Sequence, residues 1–333
     1  MRIAIVADLV GVVRGGVERH AELLATSLRQ EGHAVVLHRP ATFRSLDLTA
    51  VDLLLVEGVF RRTLLRLRLK RGFDRVRKGL FTHASFYPAV HPGAVGPAES
   101  RLADGLAKPL VNRAVLASVF AGFDAVFTLS EAESRDVRAA LGRPLPNLHP
   151  LPNLLGPRPA PPVGADATEV PANATPYVCA VARIHPRKNF RTFLEAIEGD
   201  PLRFLLAGED GGALAALLAY ATEHSVANFR YLGGISETEK QALIRGSIGT
   251  VIPSYFEGVP YAALDSLLLG RPVLLTDRSY LEPRPGVFLA PPTVDGLRAG
   301  LRELEAAGPV PGRFDYPSDE SITRSILSAT TSG

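Results

Sequence analysis

Short apolar segments alternate with amphipathic segments along most of this chain, and that alternation limits the available folds more than any other feature. Between the first two predicted strands lies a helix in which Val17, Ala21, Leu24 and Leu28 recur at helical spacing. Strands that alternate with helices in this way are typical of a doubly wound parallel sheet. The predicted strands of the first half are "RIAIVA", "AVVLHRP", "VDLLLVEG", "KGLFTHASF" and "FDAVFTLS".

The alternation restarts after a segment rich in Pro, Gly and Ala that runs from Gly142 to Pro176. This composition favours neither helix nor strand and indicates an interdomain linker. We therefore predict an α/β protein with two Rossmann-like doubly wound domains that face a central cleft. The predicted bounds are 1–155 for the first domain, 156–175 for the linker and 176–315 for the second domain. A C-terminal helix at about 316–330 is expected to pack back on the first domain.

Two pairs of serine and glutamate predict helix starts, because each has the spacing of a capping box. Ser130 with Glu133 opens a helix in the first domain, and Ser236 with Glu239 opens one in the second. The predicted strands of the second domain are "YVCAVARI", "LRFLLAG", "FRYLGGI", "GTVIP" and "RPVLLT".

The composition excludes several classes of protein. With 46% hydrophobic and 21% charged residues in a chain of 333, it is typical of a globular protein. No apolar run reaches the ~18 residues that a membrane span needs. The N-terminus lacks the pattern of a signal peptide, and the single cysteine, Cys179, suits a reducing compartment, so we expect a cytoplasmic protein. A net charge of only +3 argues against nucleic acid as a partner.

Positive charge is concentrated in the stretch Arg61–Lys78, which holds nine Lys or Arg and one Asp. Four leucines interleave with these cations, namely Leu64, Leu65, Leu67 and Leu69. The pattern favours an interfacial helix that contacts an anionic membrane surface. It is equally compatible with a solvated helix whose leucines enter the core.

The loops that follow strands are the candidate sites, because ligands of open α/β sheets bind at the carboxyl ends of the strands. In "RGGVERH", Gly15 and Gly16 precede a helix, where backbone amides can bind an anion. This loop matches neither the dinucleotide fingerprint nor a P-loop. In "ARIHPRKN", Arg183 and Lys188 suit a diphosphate, although a solvated surface pair would have the same appearance.

The stretch "PSYFEGVPYAALD" places two carboxylates around a predicted helix start. Pro260 is expected at or near the first helical position, so the amides near Gly258 and Tyr261 lie at the positive end of the helix dipole. Asp265 then lies about 7 Å along the helix, at ~1.5 Å per residue. A ligand with phosphates at the helix tip would have its nucleoside toward Asp265 and its transferred group toward Glu257.

Taken together, "GG-x-E-x-H", "AR-x5-KN" and "PSYFEGVPYAALD…GRPVLLTD" resemble the GT-B glycosyltransferases of family four, which are retaining enzymes that use nucleotide sugars. The resemblance extends over nearly the whole chain, in order. It implies that Arg183 and Lys188 bind the donor diphosphate, that Glu257 lies near the donor sugar, and that Asp265 contacts the ribose hydroxyls. Two departures from the family pattern are the shorter Asp at position 265 and "EGVP" in place of the commoner Phe-Gly after the first Glu.

The same resemblance extends the implied site to both domains. Gly16 matches the glycine whose amide meets the phosphate, with Gly15 beside it. His83, in "FTHASF", matches the first-domain histidine near the sugar, although a histidine after an apolar strand is more often structural. The implied catalytic residues are Glu257, His83, Arg183 and Lys188. The implied donor-binding residues are Gly15, Gly16, Arg183, Lys188, Gly258, Val259, Tyr261 and Asp265.

The resemblance implies transfer of a sugar from a nucleoside-diphosphate sugar to an acceptor hydroxyl. We expect no cofactor and no metal ion, since the sequence contains no Asp-x-Asp pair. The acceptor would be a glycan, a lipid-linked sugar or a small molecule, and Arg61–Lys78 would contact the inner face of the membrane. Glu57, which ends a strand, is a further candidate acceptor contact. A nucleotide-sugar epimerase on the same fold and a non-catalytic nucleotide-sugar-binding subunit remain as alternatives.

Overall fold

The computed structural model describes residues 1–7, 15–39, 45–58, 61–83, 90–91, 117–157, 176–310 and 314–331, with the backbone alone at 61–62. These residues form two compact units. Unit 1 lies within Met1–Pro92, Leu102–Gly156 and Tyr316–Gly333, and unit 2 lies within Pro157–Asp315. Positions 158–175 of the predicted linker lie outside the described residues.

The strands and helices alternate along both units. The described strands are β1 Arg2–Ala7, β2 Ala34–His38, β3 Leu53–Glu57, β4 Arg77–Phe81, β5 Ala125–Thr128, β6 Leu148–Pro150, β7 Tyr177–Val181, β8 Arg203–Ala207, β9 Phe229–Gly233, β10 Gly249–Ile252, β11 Val273–Thr276 and β12 Val287–Ala290. The helices among the described residues are α1 Gly16–Gln30, α2 Arg61–Arg68, α3 Glu131–Leu141, α4 Phe190–Ala196, α5 Leu214–Glu223, α6 Glu237–Arg245, α7 Tyr261–Leu268, α8 Val294–Ala307 and α9 Asp319–Thr331.

Unit 1 is built on a parallel sheet of six strands in the order β2-β1-β3-β4-β5-β6. Its central strand β3 is buried at all five positions, as expected for a strand covered on both faces. The strand order reverses between β1 and β3, so the carboxyl ends of these two strands flank the position where such sheets bind ligands. Glu57, the last residue of β3, therefore lies at that position.

Unit 2 has a second parallel sheet of six strands, in the order β12-β11-β10-β7-β8-β9. Here the order reverses between β7 and β10, which pair through Gly249 with Val178 and through Thr250 with Cys179. The loops that leave these two strands therefore begin side by side at one edge of the sheet. The predicted fold of two doubly wound sheets is confirmed.

Helix α9 packs within unit 1 although its sequence follows that of unit 2. Its side chains Ile322 and Ile326 are buried, and Thr323 Oγ1 lies 2.8 Å from Ser27 Oγ on α1. The Asp319 carboxylate at its first residue accepts hydrogen bonds from the backbone amides of Leu155 and Gly156, at 2.8 and 2.7 Å.

Several local predictions need correction. The Pro-rich segment from Gly142 is not linker throughout, because β6 lies within it and pairs with β5. Strand β12 and helix α8 had no counterpart in the sequence prediction. Pro260, predicted at or near the first helical position, is the N-cap residue of α7. The cap of α3 is only half a capping box, because Ser130 accepts from the amide of Glu133 while the Glu133 carboxylate binds elsewhere. The capping box of Ser236 and Glu239 is complete.

The basic stretch Arg61–Lys78 is not one surface helix. It holds α2, a turn and the start of β4, where Lys78 is buried and its Nζ donates to Val76 O. Leu64 and Leu67 enter the core of unit 1, whereas Leu65 and Leu69 are exposed. In the part of the chain that is described, none of the helices has the length and apolar character needed to cross a bilayer.

Candidate functional site

The loop after β7 is held against the loop after β10 by Asn189. This residue has a left-handed backbone (φ 56°), and its buried side-chain amide donates to Pro253 O at 3.1 Å. Thr192 Oγ1 donates to Asn189 Oδ1 at 2.6 Å and so fixes the orientation of the side-chain amide. The backbone amide of Tyr255 also donates to Arg187 O, at 3.0 Å. These contacts position the cations of the first loop beside the acid of the second.

Glu257 is the centre of the contacts between these two loops. Lys188 Nζ and Ser254 Oγ both donate to its Oε1, at 2.5 and 2.6 Å. Arg187 lies 3.5 Å from its Oε2. The Arg187 guanidinium also donates to Phe256 O at 2.8 Å and lies over the Phe256 ring. The carboxylate is thus almost fully buried, but it is paired with two cations and one hydroxyl.

Burial and charge act in opposite directions on this carboxylate. Burial alone would raise the pKa of Glu257, but Lys188 first and Arg187 second outweigh it and lower the pKa to about 2. Burial lowers the pKa of Lys188, and the Glu257 carboxylate opposes that shift. The two form an ion pair, because their charged atoms are in direct contact and a carboxylate with so low a pKa is ionised at neutral pH.

The cations around this pair outnumber its single carboxylate, so the electrostatic potential there is positive. Arg183 is exposed just after β7, and its charge acts on both Lys188 and His185. The pKa of His185 is lowered by burial and then by the charges of Arg183, Arg187 and Lys188. Three cations against one carboxylate leave a local charge of about +2, which suits a diphosphate.

Helix α7 begins directly after this centre, with Pro260 as its N-cap. Gly258 O accepts from Tyr280 N and Ser279 Oγ, both at 3.0 Å, which fixes the loop before the helix. Val259 and Tyr261 are partly buried at the helix tip. Asp265, one turn along, is paired with Lys240 of α6 at 2.7 Å. The residue predicted to hold a ribose is therefore already bound to a lysine, which the sequence analysis did not single out.

In unit 1 a buried carboxylate binds two histidines. Both oxygens of Glu57 lie 3.1 Å from His20 Nδ1, and its Oε2 accepts from His83 Nε2. Burial would raise the pKa of Glu57, but the charge of His20, followed by the hydrogen bonds from His20 and His83, lowers it to about 2. Its side chain is 0% exposed, so the prediction that Glu57 touches an acceptor is wrong.

His83 has an unusual backbone. It has φ 46°, a value that residues other than glycine rarely adopt. The preceding Thr82 is fixed by its hydroxyl, which donates to Glu133 Oε1 at 2.6 Å and lies 3.1 Å from Phe127 O. Glu133 in turn accepts from Leu129 N at 2.7 Å. A strained backbone that its surroundings hold in place is a common feature of functional sites.

Gly15 and Gly16 lie at the start of α1, as predicted, and both are exposed. A side chain at Gly15 would meet Glu18 Oε2 at 2.5 Å, so this carboxylate already lies at the positive end of the helix. An anion at this position would therefore compete with Glu18.

Among the described residues, His20, Glu57 and His83 are also the three that could hold a metal ion, with ligand atoms within 4.8 Å of one another. Glu57 lies at hydrogen-bond distance from both histidines, so the three side chains already bind one another.

Comparison with known proteins identifies the architecture. Residues 167–314 match the family model described as glycosyl transferases group 1. The resemblance to the group 1 glycosyltransferases is confirmed. A glycogen synthase of Mycobacterium tuberculosis is 23% identical over 365 residues, covering 91% of this chain and 86% of that protein.

Solved structures place the whole chain in the GT-B fold. Sucrose-phosphate synthase from Thermosynechococcus elongatus superimposes with a TM-score of 0.72 at 16% identity, covering 99% of this chain and 92% of that one. Anabaena HepE, whose structure contains UDP and glucose, gives a TM-score of 0.65 at 15% identity, covering 98% and 95%. At these identities the likeness establishes the GT-B fold alone.

Within this GT-B chain, the structure brings Lys188 and Glu257 together and places Arg183 near them. It adds residues that sequence reasoning missed, namely Arg187, Asn189, Lys240, Ser254 and, in unit 1, His20. The burial of His20 could have been predicted from its spacing, because it shares a helical face with Leu24 and Ser27.

Proposed function

We propose that this protein is a retaining glycosyltransferase that moves a sugar from a nucleoside-diphosphate sugar to an acceptor hydroxyl. The observation that carries the proposal is the buried Glu257 beside Lys188 and Arg187 at the strand-order reversal of unit 2. Lys188, Arg187 and Arg183 would stabilise the charge that develops on the departing diphosphate. Glu257 would position the sugar, and Asp265 would hold the ribose.

The remaining site residues take the roles that the family resemblance gives them. The amides of Gly258, Val259 and Tyr261 at the tip of α7 would bind donor phosphate. The amides of Gly15 and Gly16 would bind donor phosphate at the start of α1, after the Glu18 carboxylate has moved away from that position. His83 would bind a sugar hydroxyl.

The reaction is proposed to need no cofactor and no divalent metal ion. Three clustered cations supply the charge that a metal ion would otherwise contribute to the leaving group. Transfer should therefore persist in excess chelator. Loss of activity that Mg²⁺ or Mn²⁺ restores would contradict this part of the proposal.

The acceptor is proposed to be a glycan, a lipid-linked sugar or a small molecule, bound mainly by unit 1 in the cytoplasm. Exposed Leu65 and Leu69 beside basic residues would provide a peripheral contact with an anionic membrane. Sedimentation with vesicles of anionic lipid, at low and at high salt, tests that contact. Absence of binding at low salt would remove it.

The decisive experiment is a thermal-shift screen of nucleotide sugars, including UDP-glucose and ADP-glucose, followed by assay of transfer. A ligand at a hundred times its dissociation constant stabilises the protein by about 2.7 kcal/mol, which such a screen detects. Retention is tested by the anomeric configuration of the product, read by NMR. Binding without hydrolysis or transfer would contradict the proposed catalysis.

A further inference from the structure

The contact between Glu57 and His83 determines which nitrogen of the histidine carries hydrogen. An ionised carboxylate can only accept hydrogen bonds, so each ring nitrogen that faces it must be a donor. His83 therefore carries hydrogen on Nε2, and His20 carries hydrogen on Nδ1. In its neutral form His83 then has Nδ1 as its one acceptor atom.

The cluster is also built to hold the ring of His83 in one place. Glu57 is fixed at the end of β3, and His20 contacts both of its oxygens. The rings of His20 and His83 meet edge to face at 5.0 Å, and the Phe81 ring stacks on that of His83. The side chain of His83 is 8% exposed, so a small part of it can still meet a ligand.

We propose that Glu57 and His20 are positioning residues that hold His83 as the Nε2–H tautomer, so that its Nδ1 meets a sugar hydroxyl. The inference rests on the proposed function, in which His83 binds such a hydroxyl. Neither Glu57 nor His20 would touch the substrate. The arrangement parallels the carboxylate that orients a metal-binding histidine through its second nitrogen.

The direct readout is the tautomer itself, from long-range ¹H–¹⁵N spectra of the imidazole rings. We expect the His83 signals, assigned by their loss in His83→Gln, to be those of the Nε2–H form. Glu57→Gln removes the negative charge and keeps a single acceptor oxygen beside an NH₂ donor, so we expect a smaller fraction of His83 in the Nε2–H form. A wild-type His83 in the Nδ1–H form would overturn the inference, whether or not a substrate is known.

The second readout is turnover with UDP-glucose or ADP-glucose. His83→Ala should lower kcat at least tenfold, and Glu57→Gln at least fivefold, with less than a twofold change in KM for the donor. If Glu57 acts through His83, the double variant should be no slower than His83→Ala alone. Multiplicative losses would show that Glu57 acts independently and would overturn the inference.

The two proposals fail in distinguishable ways. Full activity in His83→Ala would remove His83 from the proposed function. An inactive His83→Ala together with a fully active Glu57→Gln would leave the function standing and overturn the positioning role. Should Glu57→Gln fail to fold, His20→Gln tests the same role and should lower kcat by a smaller factor. Asp319→Asn is the control, because it alters a unit 1 carboxylate that binds the backbone amides of Leu155 and Gly156 and should lower the Tm without changing the His83 tautomer.

Discussion

Lys188 donates a hydrogen bond to Glu257, 69 positions later in the sequence. The sequence predicts that these two residues bind different parts of one ligand, and in the structure they bind each other. Each keeps the other charged inside a mostly buried site. The pair also holds both side chains at the strand ends before any ligand arrives, which reduces the cost of ordering them on binding.

Lys188→Met should destabilise the protein, because it leaves the buried Glu257 with the neutral hydroxyl of Ser254 and the more distant Arg187. We expect a loss of about 3 kcal/mol in the free energy of unfolding, measured by urea titration. The double variant Lys188→Met/Glu257→Gln should recover much of that loss without recovering activity. Equal stability of Lys188→Met and the wild type would show that the ion pair is not formed.

Glu257 and Asp265 should affect different kinetic constants. Glu257→Gln should mainly lower kcat, since contacts to the transferred sugar change in the transition state. Asp265→Asn should mainly raise KM for the donor, by a factor equivalent to roughly 1–3 kcal/mol for a lost charged hydrogen bond. Asp265→Glu should be tolerated.

The matched control is Lys240→Met, which removes the partner of Asp265 but keeps the carboxylate. If Asp265 holds the ribose, Lys240→Met should raise KM less than Asp265→Asn does. An unchanged KM in Asp265→Asn would mean that Asp265 serves only its ion pair with Lys240.

Stability should depend on pH through Glu57. Its pKa is lowered from 4.5 to about 2, so the folded protein binds this proton less readily than the unfolded chain. The contribution is therefore full above about pH 4.5 and is lost as the pH falls toward 2; it is on the order of 3 kcal/mol. The difference in unfolding free energy between the wild type and Glu57→Gln should shrink from pH 6 to pH 3. A constant difference would contradict the lowered pKa.

Gly208 should be intolerant of any side chain. A Cβ there would lie 1.9 Å from Ala182 O, at the residue before Arg183, and the backbone has φ 142°. Gly208→Ala should therefore displace the loop after β7, weaken donor binding and lower the Tm. Gly212→Ala is the control, because φ there is 95° but nothing lies within 4 Å. Gly212→Ala should show a backbone strain of roughly 1–3 kcal/mol and little change in KM.

Helices and strands with a clear hydrophobic periodicity could be predicted from the sequence, whereas side-chain contacts that depend on tertiary packing could not. The buried face of α1 and the apolar strand β3 follow from hydrophobic spacing alone. Strands β6 and β12 are only three and four residues long, and β6 ends in a proline, so the pattern carries little signal for them.

The candidate site also has a part that could be predicted from the sequence and a part that could not. Arg183, Lys188 and Glu257 could be selected because they lie in loops after strands. The pairing of Asp265 with Lys240 depends on how α6 packs beside α7, and that of Glu57 with His20 on how α1 packs beside β3. Such packing brings together residues whose separation in sequence has no fixed period.

The return of α9 to unit 1 makes unit 2 an insertion within the sequence of unit 1. A ribosome that has translated residues 1–156 has made the strands of the first sheet but not the helix that packs on β4. At ~5–20 residues per second, translation of residues 157–315 takes roughly 10–30 s. During that time helix α9 has not yet been made and cannot pack on β4. The described part of unit 2 is one continuous segment and can thus finish folding first, although it is translated second.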